Sequence, residues 1–330
     1  MDKIPVIELN EIKKTFRAVK RNKGAAAALF SLFKRDYREI TALDGISFMV
    51  QKGEIAGFIG PNGAGKSTAI KVMSGILVPD SGECKVLDMC PWKMRQKYVT
   101  KIGVVFGQRT QLWWDVPVGD SFDLLKDIYR VDENRFKENL DELIEILEMG
   151  DLLSMPLRQL SLGQRMRCEL AASLLHDPEV LFLDEPTIGL DVISKLAVRR
   201  IILELNQRRN ITVILTSHDM DDIEALTNRL LLIGSGRLLY DGDMTALRSK
   251  YDRIRRLEIH HESRPELPEL PGTRIVSVKD NHAVYEVDTS VISVSSAFAT
   301  LGEKLNIRDM SAGSRPIEDL IASIYREGDL

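Results

Sequence analysis

Gly60 to Ser67, within "GFIGPNGAGKST", fits the spacing G-x-x-x-x-G-K-[ST], a pattern that lets a backbone loop close around phosphate. Glycines at 60, 63 and 65 allow tight turning, and a helix that starts there adds free amides and a positive dipole end. Lys66 can reach β and γ phosphates, the Ser67 hydroxyl can hold Mg²⁺, and Asn62 and Thr68 belong to the same stretch. Downstream, "VLFLDE" at 180–185 reads as a buried strand ending in two adjacent carboxylates. Asp184 is placed to hold Mg²⁺ through water, and Glu185 to polarise an attacking water. Two like charges side by side argue against an innocent turn. The sequence has no N-K-x-D motif for reading guanine, so a GTPase is set aside.

Such groups need a scaffold that aligns strand ends. Five near-continuous apolar runs, "IAGFIG", "IGVVFG", "VLFLDEP", "TVILTSH" and "RLLLIGSG", have the length and character of buried parallel strands. Residues 135–148 and 166–175 carry helical periodicity between them, so the central region reads as an α/β layered sheet with chemistry at the strand ends. Upstream, "VIELNEIKKTF" and "ITALDGISFMV" read as two strands separated by an insert over 17–39. Between Lys13 and Arg38 there are nine Lys or Arg residues against one acid, Asp36, around the apolar centre "GAAAALFSLF". Alanine-rich and free of turn signals, the insert is expected to be helical, either packed on its own domain by Leu29, Phe30 and Phe33 or lying near anionic lipid or a membrane partner. After about Ala246 the pattern changes to short alternating stretches, "RRLEIHH", "RIVSVKD" and "HAVYEVD", with a Pro-rich break, as in a small α+β domain over 248–330.

Further motifs surround the phosphate loop: "LSLGQ" at 160–164 just upstream of "VLFLDEP", Gln108 in "VVFGQRTQ", Asp191 in "IGLD" and His218 in "LTSHD". With six motifs in order over about residues 6–247, the chain resembles an ABC-transporter nucleotide-binding domain. The resemblance implies a P-loop NTPase (RecA-like) core with ABC helical and antiparallel β subdomains. These would fill residues 1–247, with the helical subdomain at about 109–175. It implies ATP and Mg²⁺ as cofactors and Glu185 and His218 as catalytic residues. Ser67, Gln108 and Asp184 would serve the metal. In the same reading Gln108 senses Mg²⁺ and the membrane partner, Asp191 belongs to a loop spanning a dimer, and His218 contacts the γ-phosphate.

Ser161 and Gly163 also open an apparent helix, "GQRMRCELAASLL", whose free amides suit a phosphate; helix capping alone is the plainer use of Ser161. The phosphate loop of the same chain already holds its own nucleotide. The resemblance therefore implies that Ser161, Gly163 and Gln164 complete the site of a second such domain, with two ATP molecules sandwiched. Family members set an aromatic ring against adenine; Phe16 is the positional match, Tyr37 is a rival, and core packing is an equal alternative for Phe16. Trp113 and Trp114 would suit docking of a membrane subunit, or else burial beneath the helical subdomain.

By resemblance, the leading function is the ATPase subunit of an exporter of the drug, glycolipid or polysaccharide branch, driving separate transmembrane permease subunits on the cytoplasmic face of the membrane. An importer ATPase with a regulatory tail is the second reading, and a soluble ABC protein acting on ribosomes or DNA the third. Composition narrows the rest. At 330 residues, 44% hydrophobic and 28% charged, the chain has the make-up of a globular protein with an appendage, and a net charge of −4 gives no global pull toward nucleic acid. Cys84, Cys90 and Cys168 form no CxxC pair, which points to a reducing compartment, and no secretion signal or spanning segment is expected.

Overall fold

The structure, a computed structural model, describes residues 5–19, 37–107, 109–227, 229–262 and 267–327. The chain divides into two compact units between Gly242 and Asp243.

In the first unit the apolar runs become strands β3 (Ile55–Ile59), β5 (Ile102–Phe106), β6 (Val180–Asp184), β7 (Thr212–Thr216) and β8 (Arg229–Gly234). With β9 (Arg237–Asp243) they form one sheet in the order β5-β6-β7-β3-β8-β9, whose β5-β6-β7-β3-β8 neighbours run parallel. β7 is buried along its whole length, as expected of a parallel strand covered on both faces. Helix α1 (Lys66–Met73) follows β3, and α2 (Arg95–Val99) precedes β5. Helices α3 (Val118–Tyr129), α4 (Glu133–Leu147) and α5 (Leu162–Leu174) fill the stretch between β5 and β6, while α6 (Val192–Arg209) and α7 (Met220–Leu226) follow β6 and β7.

A second sheet pairs β1 (Pro5–Val19) between β2 (Tyr37–Gln51) and β4 (Ser81–Val86), antiparallel throughout. Its alternating residues Ile7, Leu9, Ile46, Phe48 and Val50 bury one face against Phe58, Ile70 and Met73. The hairpin corrects the expected extent of the insert: residues 17–19 and 37–39 are strand, because Arg17 pairs with Glu39, Ala18 with Arg38 and Val19 with Tyr37. Arg17 Nε also meets Glu39 Oε1 at 3.2 Å. The helix expected between them falls on 20–36, outside the described residues, as does its suggested membrane contact.

The second unit begins upstream of the expected 247/248 boundary because α8 (Met244–Tyr251), capped by the Asp243 carboxylate at Ala246 N–H (2.7 Å), belongs to it. Strands β10 (Ile254–His261), β11 (Thr273–Lys279), β12 (His282–Asp288) and β13 (Ile307–Ser314) form an antiparallel sheet ordered β11-β12-β10-β13. Leu257, Ile259, Tyr285 and Val287 of this sheet pack with Ala297 and Leu301 of α9 (Val294–Lys304), and α10 (Ile317–Glu327) ends the described chain.

Candidate nucleotide site

The turn from β3 into α1 leaves Gly65 at φ 113°, a left-handed conformation open to glycine, and a Cβ there would lie 2.4 Å from the Ala42 carbonyl oxygen. Gly65 caps α1 with no side-chain hydrogen bond, so the first amides of the helix are free to bind an anion. Lys66 folds back over the loop and donates to the Gly60 carbonyl at 2.6 Å and the Pro61 carbonyl at 3.3 Å. Burial pulls its ammonium below the usual lysine range, and the carboxylates of Glu185 and Asp184 oppose that pull.

Strand ends bring the acids to the loop. Ser67 Oγ donates to Asp184 Oδ1 at 3.1 Å, and Thr216 Oγ1, from the end of β7, donates to the same oxygen at 2.7 Å. Glu185 takes a left-handed backbone, φ 57°, held by its N–H donating to Thr216 Oγ1 at 3.0 Å. Its Oε2 lies 2.5 Å from His218 Nδ1, so the ring steadies the carboxylate as an N–H donor. A cavity of about 770 Å³ opens over these groups, a size suited to a nucleotide. Asn62, Gly63, Gly65, Lys66, Ser67, Thr68, Asp184, Glu185 and His218 all line it; Gly60 contributes only the carbonyl that receives Lys66.

The remaining expected residues lie elsewhere. Ser161 caps α5, accepting from Gln164 N–H at 3.2 Å while Gln164 Oε1 accepts from Ser161 N–H at 2.9 Å, a closed capping box. Asp191 caps α6, accepting from Ser194 N–H at 2.9 Å and Ser194 Oγ at 3.0 Å, bonds that hold its carboxyl below the usual range. A Cβ on Gly163 would stand 2.4 Å from Ser194 Oγ, so the glycine lets the two helix starts meet. None of Ser161, Gly163, Gln164 and Asp191 lines the cavity. Phe16 is also off the wall, 38% exposed, but it pairs across the hairpin with Ile40, which lines it. Tyr37 pairs with Val19, and Gln108 lies outside the described residues.

Residues 43–188 match the family profile described as ABC transporter. The linearmycin resistance ATP-binding protein LnrL of Bacillus subtilis is 34% identical over 66% of this chain and 69% of its own. The chain belongs to the ABC-transporter ATP-binding family. The methionine import ATP-binding protein MetN of Geobacillus kaustophilus, also 34% identical, aligns over 62% of this chain and 61% of its own. Among solved structures, cbiO1 from Clostridium perfringens superimposes with a TM-score of 0.61 at 24% identity over 74% of this chain and 91% of that one. The cassette MJ0796, solved as a dimer, gives 0.58 at 23% identity over 72% and 98%. This ABC cassette is thus an ATP-binding, ATP-hydrolysing subunit with the P-loop fold.

Several residues of the cassette escaped the motif reading. Ile40, Ala42, Lys71, Ile76, Arg109 and Ile188 also line the cavity, and of these Lys71 was within reach, one helical turn beyond Ser67. Asp222, fully buried, accepts from Arg199 Nε at 2.6 Å and Ser217 Oγ at 3.1 Å and also bonds Thr187, while Lys195 meets Asp219 at 2.5 Å. That network braces the loop carrying His218. Trp113 and Trp114 are 39% and 47% exposed, which removes burial beneath the helices, one of the two uses expected of them. No described helix is long and apolar enough to cross a membrane.

Proposed function

We propose that the chain is the ATPase subunit of an ABC exporter, paired with a second cassette beneath separate membrane-spanning subunits. Each ATP is held between the phosphate loop of one cassette and the Ser161–Gln164 segment of the other. The observation that carries this reading is the split site: Lys66, Ser67, Asp184, Glu185 and His218 share one cavity, while Ser161, Gly163, Gln164 and Asp191 sit at the starts of α5 and α6, off its wall.

Lys66 and the free amides of α1 bind the phosphates, and Glu185 orients a water against the γ-phosphorus. As the new P–O bond forms, the bond to the β–γ bridging oxygen breaks, ADP leaves with that electron pair, and Glu185 takes the proton of the water. His218 keeps the carboxylate aimed through the 2.5 Å contact. The donor set fits Mg²⁺: Ser67 Oγ and Asp184 Oδ1 are hard oxygen ligands converging beside the phosphate loop, and Gln108 is assigned with them by family position. When bound, the ion neutralises charge on the β and γ phosphate oxygens.

Exposed Trp113 and Trp114 supply aromatic anchors for a permease subunit and so for peripheral association with the cytoplasmic face of the membrane. Export is favoured by the "PTIGLD" stretch, the single phosphate loop and the resistance role in the name of LnrL. Import is the second reading, favoured by the similarity to MetN. Purification of the full chain from membranes tests both. Export predicts co-purified permeases lacking a phosphate loop and no extracytoplasmic binding protein; capture of such a binding protein reverses the direction, and a chain that never associates with membranes removes transport.

A further inference from the structure

Glu169 is a carboxylate in the interior of α5, only 4% exposed among Cys168, Leu170, Ala171 and Ala172. Burying an acid there costs stability unless it is well bonded. Among the described residues, the hydrogen bonds that its carboxylate accepts come from the segment that follows Gln108. Thr110 Oγ1 donates to Oε1, Gln111 N–H donates to Oε2 at 3.2 Å, and the Gln111 side-chain amide donates to the Glu169 carbonyl at 3.1 Å. Thr110 Oγ1 in turn accepts from Leu112 N–H at 3.0 Å. One turn back on the same helix, the Arg165 guanidinium lies 4.4 Å from the Trp114 ring centroid, so α5 grips residues 110–114 at two levels. Burial pushes the Glu169 carboxyl up, and the Thr110 bond leads the effects that oppose this.

The other end of that short segment is fixed to the cavity. Gly107 N–H donates to the Asp184 carbonyl at 2.8 Å, a Cβ on Gly107 would lie 2.1 Å from the Glu185 carbonyl oxygen, and both Gly107 and Arg109 line the cavity. Gly107, in contact with the strand that carries the acids, and Thr110, in contact with Glu169, therefore stand three positions apart in the chain. Ser161 stands at the start of the helix that Glu169 occupies, about 12 Å away at 1.5 Å per residue.

We propose that Glu169 is a positioning residue that ties Thr110 and Gln111, which follow the cavity-lining Gly107 and Arg109 in the chain, to α5, so that nucleotide bound by one cassette sets the orientation of the Ser161 segment it offers to its partner. This rests on the sandwich reading above. A carboxylate that merely held the fold would alter the melting temperature and leave ATP-driven pairing of folded protein unchanged.

The test uses the full chain in a Glu185→Gln background that blocks hydrolysis, with melting temperature, ATP affinity at concentrations where the chain is monomeric, and ATP-dependent dimer dissociation constant as readouts. Glu169→Leu fills the same space without the bonds. It is expected to bind ATP within about twofold of the background and to dimerise at least about tenfold more weakly, a difference of about 1.4 kcal/mol. Glu169→Gln keeps an acceptor for Gln111 N–H and is expected to recover part of the loss. Adding Thr110→Val to Glu169→Leu is expected to change dimerisation by less than about twofold, as for two members of one linkage. Leu170→Ala serves as the destabilised control on the same helix. If it weakens pairing as much as Glu169→Leu, or if Glu169→Leu dimerises like the background, the proposal is overturned. A background chain that stays monomeric with ATP overturns the sandwich reading itself, and the role of Glu169 with it.

Discussion

Around the cavity, the bonds join residues far apart in the chain: Ser67 to Asp184, Asp184 to Thr216, and Glu185 to His218. At the starts of α5 and α6 they join residues three apart: Ser161 to Gln164 and Asp191 to Ser194. The first arrangement exists only when β3, β6 and β7 are in register, so its chemistry depends on the parallel sheet. The second is complete within one helical turn and would survive changes in the sheet. A set of reacting groups must be held to fractions of an ångström, whereas a helix start offered to a second molecule needs only its own cap and a stable body behind it.

The comparison breaks first at Glu185. Glu185→Gln keeps the shape and the His218 neighbour but loses the anionic acceptor, so hydrolysis is expected to fall about 10²–10⁴-fold, roughly 3–5 kcal/mol of transition-state stabilisation, with ATP binding retained. Steady-state turnover beside equilibrium binding decides it; parental turnover would remove Glu185 as the base.

Next is Lys66→Ala, which on the proposed reading would delete a charge-assisted contact to phosphate worth about 1.5–3 kcal/mol, or roughly 10- to 100-fold in ATP affinity. Here binding itself should fail, measurable by calorimetry. A variant that binds normally and only turns over slowly would move Lys66 from binding to chemistry.

Ser161→Ala probes the other region. Loss of the cap costs about 1 kcal/mol of stability, but ATP affinity of the monomer should stay within about twofold, and ATP-driven dimerisation should weaken several-fold. If monomer affinity fell as it does for Lys66→Ala, the two regions would not be separate sites.

The same contrast explains what was legible in the sequence. The phosphate loop, the paired acids and the capping serine are contiguous motifs, and the strands β3, β5, β6, β7 and β8 announce themselves as apolar runs. β9 and β13 do not, because β9 has no fully buried residue, β13 is largely exposed, and both lack the continuous apolar pattern. The hairpin strands run past the expected ends, to Val19 and from Tyr37, since charged residues such as Arg17 and Glu39 pair across a ladder as readily as apolar ones. Glu169 was invisible for another reason. A single acid in a helix reads as a solvated face until the fold places Thr110 and Gln111 against it.

The smallest effect concerns Phe16, which lies between the two regions in kind: its position is fixed by a long-range ladder, yet its ring is off the cavity wall. It faces Ile40 across the hairpin, Ile40 lines the cavity, and the Lys14 ammonium sits 5.9 Å from its ring centroid. A ring so placed and 38% exposed contributes little to the core, so Phe16→Ala should leave the melting temperature nearly unchanged. If the ring stacks on adenine, its loss is worth about 0.5–1.5 kcal/mol, a two- to tenfold weaker ATP complex, and Phe16→Tyr restores it. Inorganic tripolyphosphate carries the phosphate chain without the base and separates the contributions: its affinity should not change in Phe16→Ala. Equal losses for ATP and tripolyphosphate would mean that the substitution disturbs the phosphate loop through Ile40 and Ala42, and no loss for either would leave adenine to another part of the wall.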